Sequence, residues 1–326
     1  MKQQQYIMVN WMNKEFEVAV LIAVYNGEQY LEELLDSLQQ QTYRDFVCYV
    51  HDDGSADKSM EIIKKYQYES KLHLNVLEYP PTGSAKANFM SLVEYAVEPY
   101  LMFCDQDDVW LPQKIEESVC RIKKLENTNA NPALVFSDMK VVNDKLDVIA
   151  ESFLAYTGLD SKRITPQNLM LENVIAGCSM IMNRSLYKMS SQIKNIDNVN
   201  IHDHFFALLA SCTGSIDFIE KPLLLYRQHS NNVKGAKMKS SVIRRVYNNF
   251  GNMVAKQYKS RFQEWMTRLQ RQAGEIADIE EVRKPYKKIC EEFSSISEKN
   301  KFQRIAFYLK NHILRKKYNL WFLMWC

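Results

Sequence analysis

Three carboxylates stand within four residues at Asp105, Asp107 and Asp108, in Cys104-Asp105-Gln106-Asp107-Asp108-Val109-Trp110, directly after an apolar stretch. Like charges this close repel one another and weaken a fold unless something neutralises them. A divalent cation does so, because Mg²⁺ or Mn²⁺ prefers oxygen ligands and takes one or two protein carboxylates together with substrate phosphates. The plainer reading is an acidic loop set against the N-terminal dipole of the next helix. A second acidic group, His51-Asp52-Asp53-Gly54-Ser55, also follows an apolar stretch. Asp-Gly-Ser is common turn chemistry. Carboxylates at a strand end in an α/β unit also occupy the usual place for ribose or base contacts. The first apolar run ends in Ala23-Val24-Tyr25-Asn26-Gly27, where Tyr25 offers a ring that can stack on a nucleobase.

These groups need a scaffold that brings strand ends together. Residues 17–24 are nearly all apolar, which predicts a strand covered on both faces. Asn26 with Gln29 reads as a capping box, followed by the helical stripe Tyr30, Leu31, Leu34, Leu35 and Leu38. Strands are predicted over 46–51, 72–77 and 100–104, helices over 58–68 and 86–97, and Pro112 opens a helix to about 125. That alternation indicates βαβ units and a mainly parallel sheet. Strands near 133–138, 174–182, 216–219 and 223–226 and a helix over 202–212 make the next part more mixed, as suits the handling of a second substrate.

The 326 residues allow one large domain or a catalytic domain with an appendage. Residues 237–326 hold 20 Lys/Arg against 8 Asp/Glu, a balance of +12, whereas residues 1–236 carry −9. An acidic body with a basic tail points to an anionic surface as the partner of the tail. Phe302, Ile305, Leu309 and Ile313 recur there at helical spacing among basic residues, and the stretch from Arg315 to Trp325 is basic and then aromatic. Such a segment suits a bilayer interface or a helix docked on the body. Nucleic acid is disfavoured, since the aromatics follow the charges instead of interleaving with them. Seven cysteines, an odd number without Cys-x-x-Cys, argue for a reducing compartment. With no signal peptide and no spanning run in view, a cytoplasmic protein peripheral on the inner face of the cell membrane is expected.

In combination the motifs resemble the family 2 glycosyltransferases. The matching residues are Val20-Leu21-Ile22-Ala23-Val24-Tyr25-Asn26-Gly27-Glu28, Gln40-Gln41-Thr42-Tyr43 and Asp52-Asp53-Gly54-Ser55-Ala56-Asp57. Asp105 to Pro112 has the form seen in bacterial rhamnosyltransferase-like members. The resemblance covers about the first 230 residues and leaves the basic tail outside. It implies a glycosyltransferase-A fold: an α/β, mainly parallel Rossmann-like sheet flanked by helices, here with a helical basic C-terminal extension. The catalytic domain would be 1–236, with a donor half over about 17–125 and an acceptor half over about 130–236, and the extension 237–326.

The resemblance also implies roles. Ala23, Tyr25, Glu28 and Asp53 would form the nucleotide pocket, and Lys86 or Asn88 would sit where the family reads the base. Asp105 and Asp107 or Asp108 would meet ribose and metal. Asp203, in Asn200-Ile201-His202-Asp203-His204, would be the general base, with His202, Gly177 and Cys178 on the acceptor side. His229 would complete a Mn²⁺ or Mg²⁺ shell, and Arg227 would contact the diphosphate. One base and no enzyme nucleophile suit a single displacement with inversion. The expected donor is dTDP-rhamnose or a UDP-sugar, and the expected acceptor a lipid-linked glycan of a bacterial surface polysaccharide. Two other readings compete. A sugar nucleotidyltransferase would need a richer glycine and arginine loop than Tyr25-Asn26-Gly27-Glu28. A non-catalytic nucleotide-sugar scaffold would not need Asp107, Asp108, Asp203 and His229 together.

Overall fold

The apolar run becomes β1 (Val18–Val24), buried on both faces. A loop follows, and α1 (Leu31–Gln39) begins later than the capping-box reading predicts. Asn26 is not its cap. It takes a left-handed φ of 48°, and its side chain accepts the Ala56 amide at 2.9 Å. The Asn-Gly turn therefore ties the β1 loop to the Asp-Gly-Ser loop instead of starting a helix. Then come β2 (Phe46–Asp52), α2 (Ser59–Glu69), β3 (Leu74–Val76), α3 (Ala85–Tyr95) and β4 (Tyr100–Asp105). A two-residue β5 (Val109–Trp110) precedes α4 (Lys114–Glu126). Next are β6 (Ala133–Val142), β7 (Val148–Ala150), the short helices α5 (Phe153–Thr157) and α6 (Pro166–Leu169), β8 (Met180–Asn183) and α7 (Arg184–Tyr187). Residues 174–179, expected as strand, instead include a 3-10 turn over Gly177–Ser179. The long buried helix α8 (His202–Thr213) leads to β9 (Ser215–Arg227). Lys221-Pro222 does not split β9; its pairing with β6 shifts register between Ile219 and Pro222, where proline's missing N–H is tolerated. The extension supplies α9 (Asn252–Asp278), α10 (Lys284–Ser294) and α11 (Lys301–Lys310).

This computed structural model describes residues 15–128, 131–229, 252–315 and 322. Its nine described strands form one sheet in the order β3-β2-β1-β4-β8-β6-β9-β5, with β7 on β6. β1, β2, β3 and β4 are mutually parallel, and β8 runs antiparallel between β4 and β6. The parallel half has its carboxyl ends along one edge.

Two cores explain why β1 reads as continuous apolar sequence. Ala19 and Leu21 face the cluster of Phe89, Leu92, Phe205 and Leu209, whereas Val18, Val20 and Ile22 face Leu31, Leu35, Ile115 and Val119. Burial of each such valine, leucine, isoleucine or phenylalanine side chain contributes roughly 1.5–3 kcal/mol.

The extension joins the first core. Met266, Leu269, Ala273 and Ile276 of α9 are buried in it with Phe293, Phe307, Tyr308 and Phe322. Polar ties lock the packing: Arg283 donates to the carbonyls of Ser211 and Cys212 at 2.7 and 3.0 Å, and Glu275 accepts the Lys194 amide at 2.9 Å. The expected stripe on the last helix is displaced. Phe307 and Tyr308 turn inward with Ile313, while Phe302 is 86% exposed and Leu309 49%. The basic aromatic stretch after Arg315 lies, apart from Phe322, outside the described residues.

Candidate active site

A cavity of about 1530 Å³ opens beside the carboxyl ends of β1, β2 and β4, and its walls include Tyr25, Asp53, Asp105, Asp107, Asp203 and His229. Open α/β sheets bind ligands at this edge. Gln106 shapes one wall. Its side chain accepts the Tyr25 amide at 2.8 Å and donates to the Tyr25 carbonyl at 2.9 Å, leaving the Tyr25 ring 57% exposed beside the cavity. Gly27 permits that clamp, because a Cβ there would lie 2.6 Å from Gln106 Oε1. Asp53 accepts from the Thr82 hydroxyl at 2.9 Å and the Gly83 amide at 3.3 Å, so it fixes the rim formed by 81–84. Ala23 and the buried Asn88 also line the cavity; Asn88 is held by the His51 ring at 2.9 Å.

Asp107 and His229 converge from two strand ends. The antiparallel pairing of Val109 with Leu225 brings the end of β9 beside the acidic loop, and His229 Nε2 comes 2.8 Å from Asp107 Oδ2. The Tyr30 ring backs the imidazole at 4.8 Å. Behind them Arg227 is 1% exposed and lies outside the cavity wall. It donates to the carbonyls of Asp107 and Asp144 at 2.7 and 2.6 Å and pairs with Glu33, while its ring neighbour is Tyr30 at 4.4 Å. This guanidinium, expected at the diphosphate, here holds the acidic loop from behind.

Asp108 is likewise turned away from the cavity. It is 1% exposed, with Oδ1 accepting the Arg227 amide at 3.1 Å. Burial pushes its carboxyl well above the usual range, and the charges of Asp107 and Asp105 add to that. Lys114, fully buried nearby over the Trp110 ring at 4.5 Å, has its amine pushed down to about 8 by burial. Asp105 faces the cavity and is pushed up to about 7, first by burial and then by the Asp107 charge, with Asp203 adding to the effect.

Two groupings among the described residues could hold a cation. Asp105, Asp108 and Cys178 offer atoms within 4.8 Å of one another. Burial and the two carboxylates drive the Cys178 thiol well above its ordinary pKa, so it stays protonated and suits neither a hard cation nor nucleophilic attack. The Asp107–His229 pair fits better: both side chains are on the cavity wall, the carboxylate suits either ion, and the imidazole suits a transition ion such as Mn²⁺ better than Mg²⁺.

Asp203, also on the cavity wall, stands in the first turn of α8, with Oδ1 accepting the His204 amide at 2.5 Å. His202 is wedged between Phe89 and Phe103 at 4.4 and 4.7 Å. Gly177 lies against it, since a Cβ there would stand 2.7 Å from His202 Nε2. Two further residues expected at the donor are engaged in other contacts. Glu28 lies outside the cavity wall and accepts the Lys58 amide at 3.0 Å, which ties the β1 loop to the start of α2. Lys86 also lies outside it, donating to the carbonyls of Ile196 and Val199 at 3.1 and 3.0 Å. It braces the segment that leads to Asp203. Sequence reasoning passed over Gln106, which reads as a spacer between acids, and the residues of α9 and Arg315 that also line the cavity.

The chain resembles known glycosyltransferases in sequence and in fold. The chain is 28% identical over 225 residues to a dTDP-rhamnosyl transferase, RfbG, of Shigella flexneri, covering 66% of this chain and 74% of that protein. It is 24% identical over 173 residues to the Escherichia coli UDP-Glc:alpha-D-GlcNAc-diphosphoundecaprenol beta-1,3-glucosyltransferase WfgD, covering 53% of this chain and 62% of that one. Among solved structures, S. aureus TarS 1–349 in complex with UDP-GlcNAc superposes with a TM-score of 0.54 at 19% identity, covering 90% of this chain and 79% of that one. The mannosyltransferase PcManGT of Pyrobaculum calidifontis, in complex with GDP-Man and Mn²⁺, gives 0.51 at 13% identity, covering 94% and 82%. These structural likenesses are likenesses of fold. The sequence profile described as glycosyl transferase family 2 matches residues 19–189, more than half of the chain. The protein therefore belongs to glycosyl transferase family 2.

Proposed function

We propose that this glycosyltransferase carries out an inverting, single-displacement transfer from a nucleoside-diphosphate sugar to a hydroxyl of a lipid-linked glycan, at the cytoplasmic face of a membrane, in the synthesis of a bacterial surface polysaccharide. The observation that carries the reading is the placement of Asp203 and of the Asp107–His229 pair on the walls of one cavity at the strand ends. The acceptor oxygen attacks the anomeric carbon while its proton passes to Asp203, and the nucleoside diphosphate leaves with the electron pair of the broken bond. Asp107 and His229 would hold Mn²⁺ or Mg²⁺, which would supply positive charge against the departing diphosphate. Tyr25 offers a stacking face to the base, and Asp53, Asn88 and Asp105 offer polar contacts to the nucleoside. The names of RfbG and WfgD support dTDP-rhamnose or a UDP-sugar as donor and a diphosphate-linked acceptor. The outward Phe302 and Leu309, beside Lys301 and Lys310, support contact with an anionic bilayer.

The test is incubation with dTDP-rhamnose or UDP-glucose, Mn²⁺ and a synthetic prenyl-diphosphate-linked sugar, with the product read by mass spectrometry and NMR. Transfer with inverted anomeric configuration is expected, falling by roughly 10²–10⁴ in Asp203→Asn. Full turnover in that variant would remove the base from the scheme. Release of no nucleoside diphosphate across a donor panel would reject the reading as a whole.

A further inference from the structure

Part of the cavity wall is basic, and the residues that make it so come from the C-terminal extension. α9 carries Arg261, Trp265 and Arg268 to the wall, and Arg315 joins them from the segment after α11. Spacings of four and three residues put the α9 trio on one helix face. The Arg315 guanidinium stands 5.3 Å from the Trp265 ring centroid, a cation–π arrangement that holds the ring in place. Glu264, also on the wall, pairs with Arg268. Three guanidiniums against Glu264, with Glu172 paired to Arg163, leave this part of the wall positive, in contrast to the acidic group Asp105, Asp107 and Asp203. Arg261 and Arg268 are exposed and add nothing to the core.

This wall stands on the acceptor side. Gln272, one turn beyond Arg268, accepts the Asn200 amide at 3.0 Å, three residues before Asp203. Arg163 donates to the Leu314 carbonyl at 2.6 Å and pairs with Glu172 of the cavity wall at 3.8 Å, fixing the backbone next to Arg315. Asp203 and the three arginines thus line one cavity, and α9 is tied to the segment that leads to Asp203.

We propose that Arg261, Arg268 and Arg315 form an acceptor subsite for a phosphate or diphosphate group, with Trp265 as the apolar face for the adjoining sugar ring. Guanidinium forks match phosphate oxygens in pairs, and an aromatic ring covers the apolar face of a pyranose. The subsite rests on the reading of the cavity as a glycosyl-transfer site. It places the acceptor's anionic group in the protein, not merely near a charged membrane.

Calorimetry on the full chain tests it. The protein is first saturated with UDP or dTDP and excess Mg²⁺, then titrated with geranyl diphosphate, with inorganic pyrophosphate, and separately with phosphatidylglycerol vesicles. A second, diphosphate-binding event is expected for both soluble probes. Its Kd should rise by roughly tenfold or more in Arg261→Gln and in Arg268→Gln, with nucleotide Kd unchanged. Arg271→Gln, on the same helix but off the cavity wall, should bind like the unaltered protein. Nucleotide binding without any second event overturns the subsite and leaves the transferase reading standing. Arginine variants that lose vesicle binding but keep geranyl diphosphate also overturn it, because the charges then serve the bilayer. Failure to bind either nucleotide removes both readings together.

Discussion

Asp107 and His229 meet at 2.8 Å although 122 residues separate them in the chain. If they hold a cation, replacing either should weaken metal-dependent nucleotide binding without unfolding the protein. Asp107→Asn and His229→Ala should each raise the nucleotide Kd at least roughly tenfold in Mn²⁺ and change it little in EDTA. Gly177 is tested differently. An added Cβ would press on a His202 ring already wedged between Phe89 and Phe103. Gly177→Ala should therefore cost about 1–3 kcal/mol in denaturant unfolding. Because His202 precedes Asp203, kcat should also drop while nucleotide Kd holds. An unchanged kcat would show that this packing does not position Asp203. The acidic cluster could be picked out in the sequence because three acids crowd one strand end. Which of them faces the cavity could not. That depends on Arg227, whose amide takes Asp108 inward, and the pairing partner lies 119 residues away.

At the scale of elements, the antiparallel contact of β5 with β9 sets the register of the acidic loop. Arg227 fills the space behind it with contacts to the carbonyls of Asp107 and Asp144 and to Glu33. Arg227→Ala should lower stability by roughly 2–4 kcal/mol and also weaken metal binding, since the loop loses its support. Differential scanning calorimetry with and without Mn²⁺ measures both effects. The buried strands of the parallel half could be read from β1, β2 and β4 because burial on both faces leaves an unbroken apolar run. Other elements could not be read so. Asn26 has the right type for a helix cap but is drawn away by Ala56. Residues 174–179 are apolar enough for a strand, yet the close approach of Gly177 to His202 bends them into a turn. On α11 the periodic residues Phe302 and Leu309 face outward, because Phe307 and Tyr308 fill the core beside Phe293.

For the whole molecule, the extension is both core and wall. It buries Met266, Leu269, Ala273 and Phe293 with the first cluster, so removal of everything after Ala236 should leave apolar surface bare and yield an aggregating protein. Membrane contact is better tested by Phe302→Ser with Leu309→Ser. These changes should leave the Tm unaltered but reduce sedimentation with phosphatidylglycerol vesicles several-fold. The charge split between body and tail was plain in the composition, but not that α9 returns its arginines to the cavity at the strand ends. Chain-distant packing of that kind leaves no local periodic signal. The most direct test of the central claim is calorimetric binding of a panel of nucleoside diphosphates, with and without Mn²⁺, to the unaltered protein and to Asp107→Ala. Mn²⁺-dependent binding of thymidine or uridine diphosphate, lost in the variant, is the predicted result. Binding of no nucleotide, or binding indifferent to both Mn²⁺ and Asp107, would contradict a metal-assisted donor site at these strand ends.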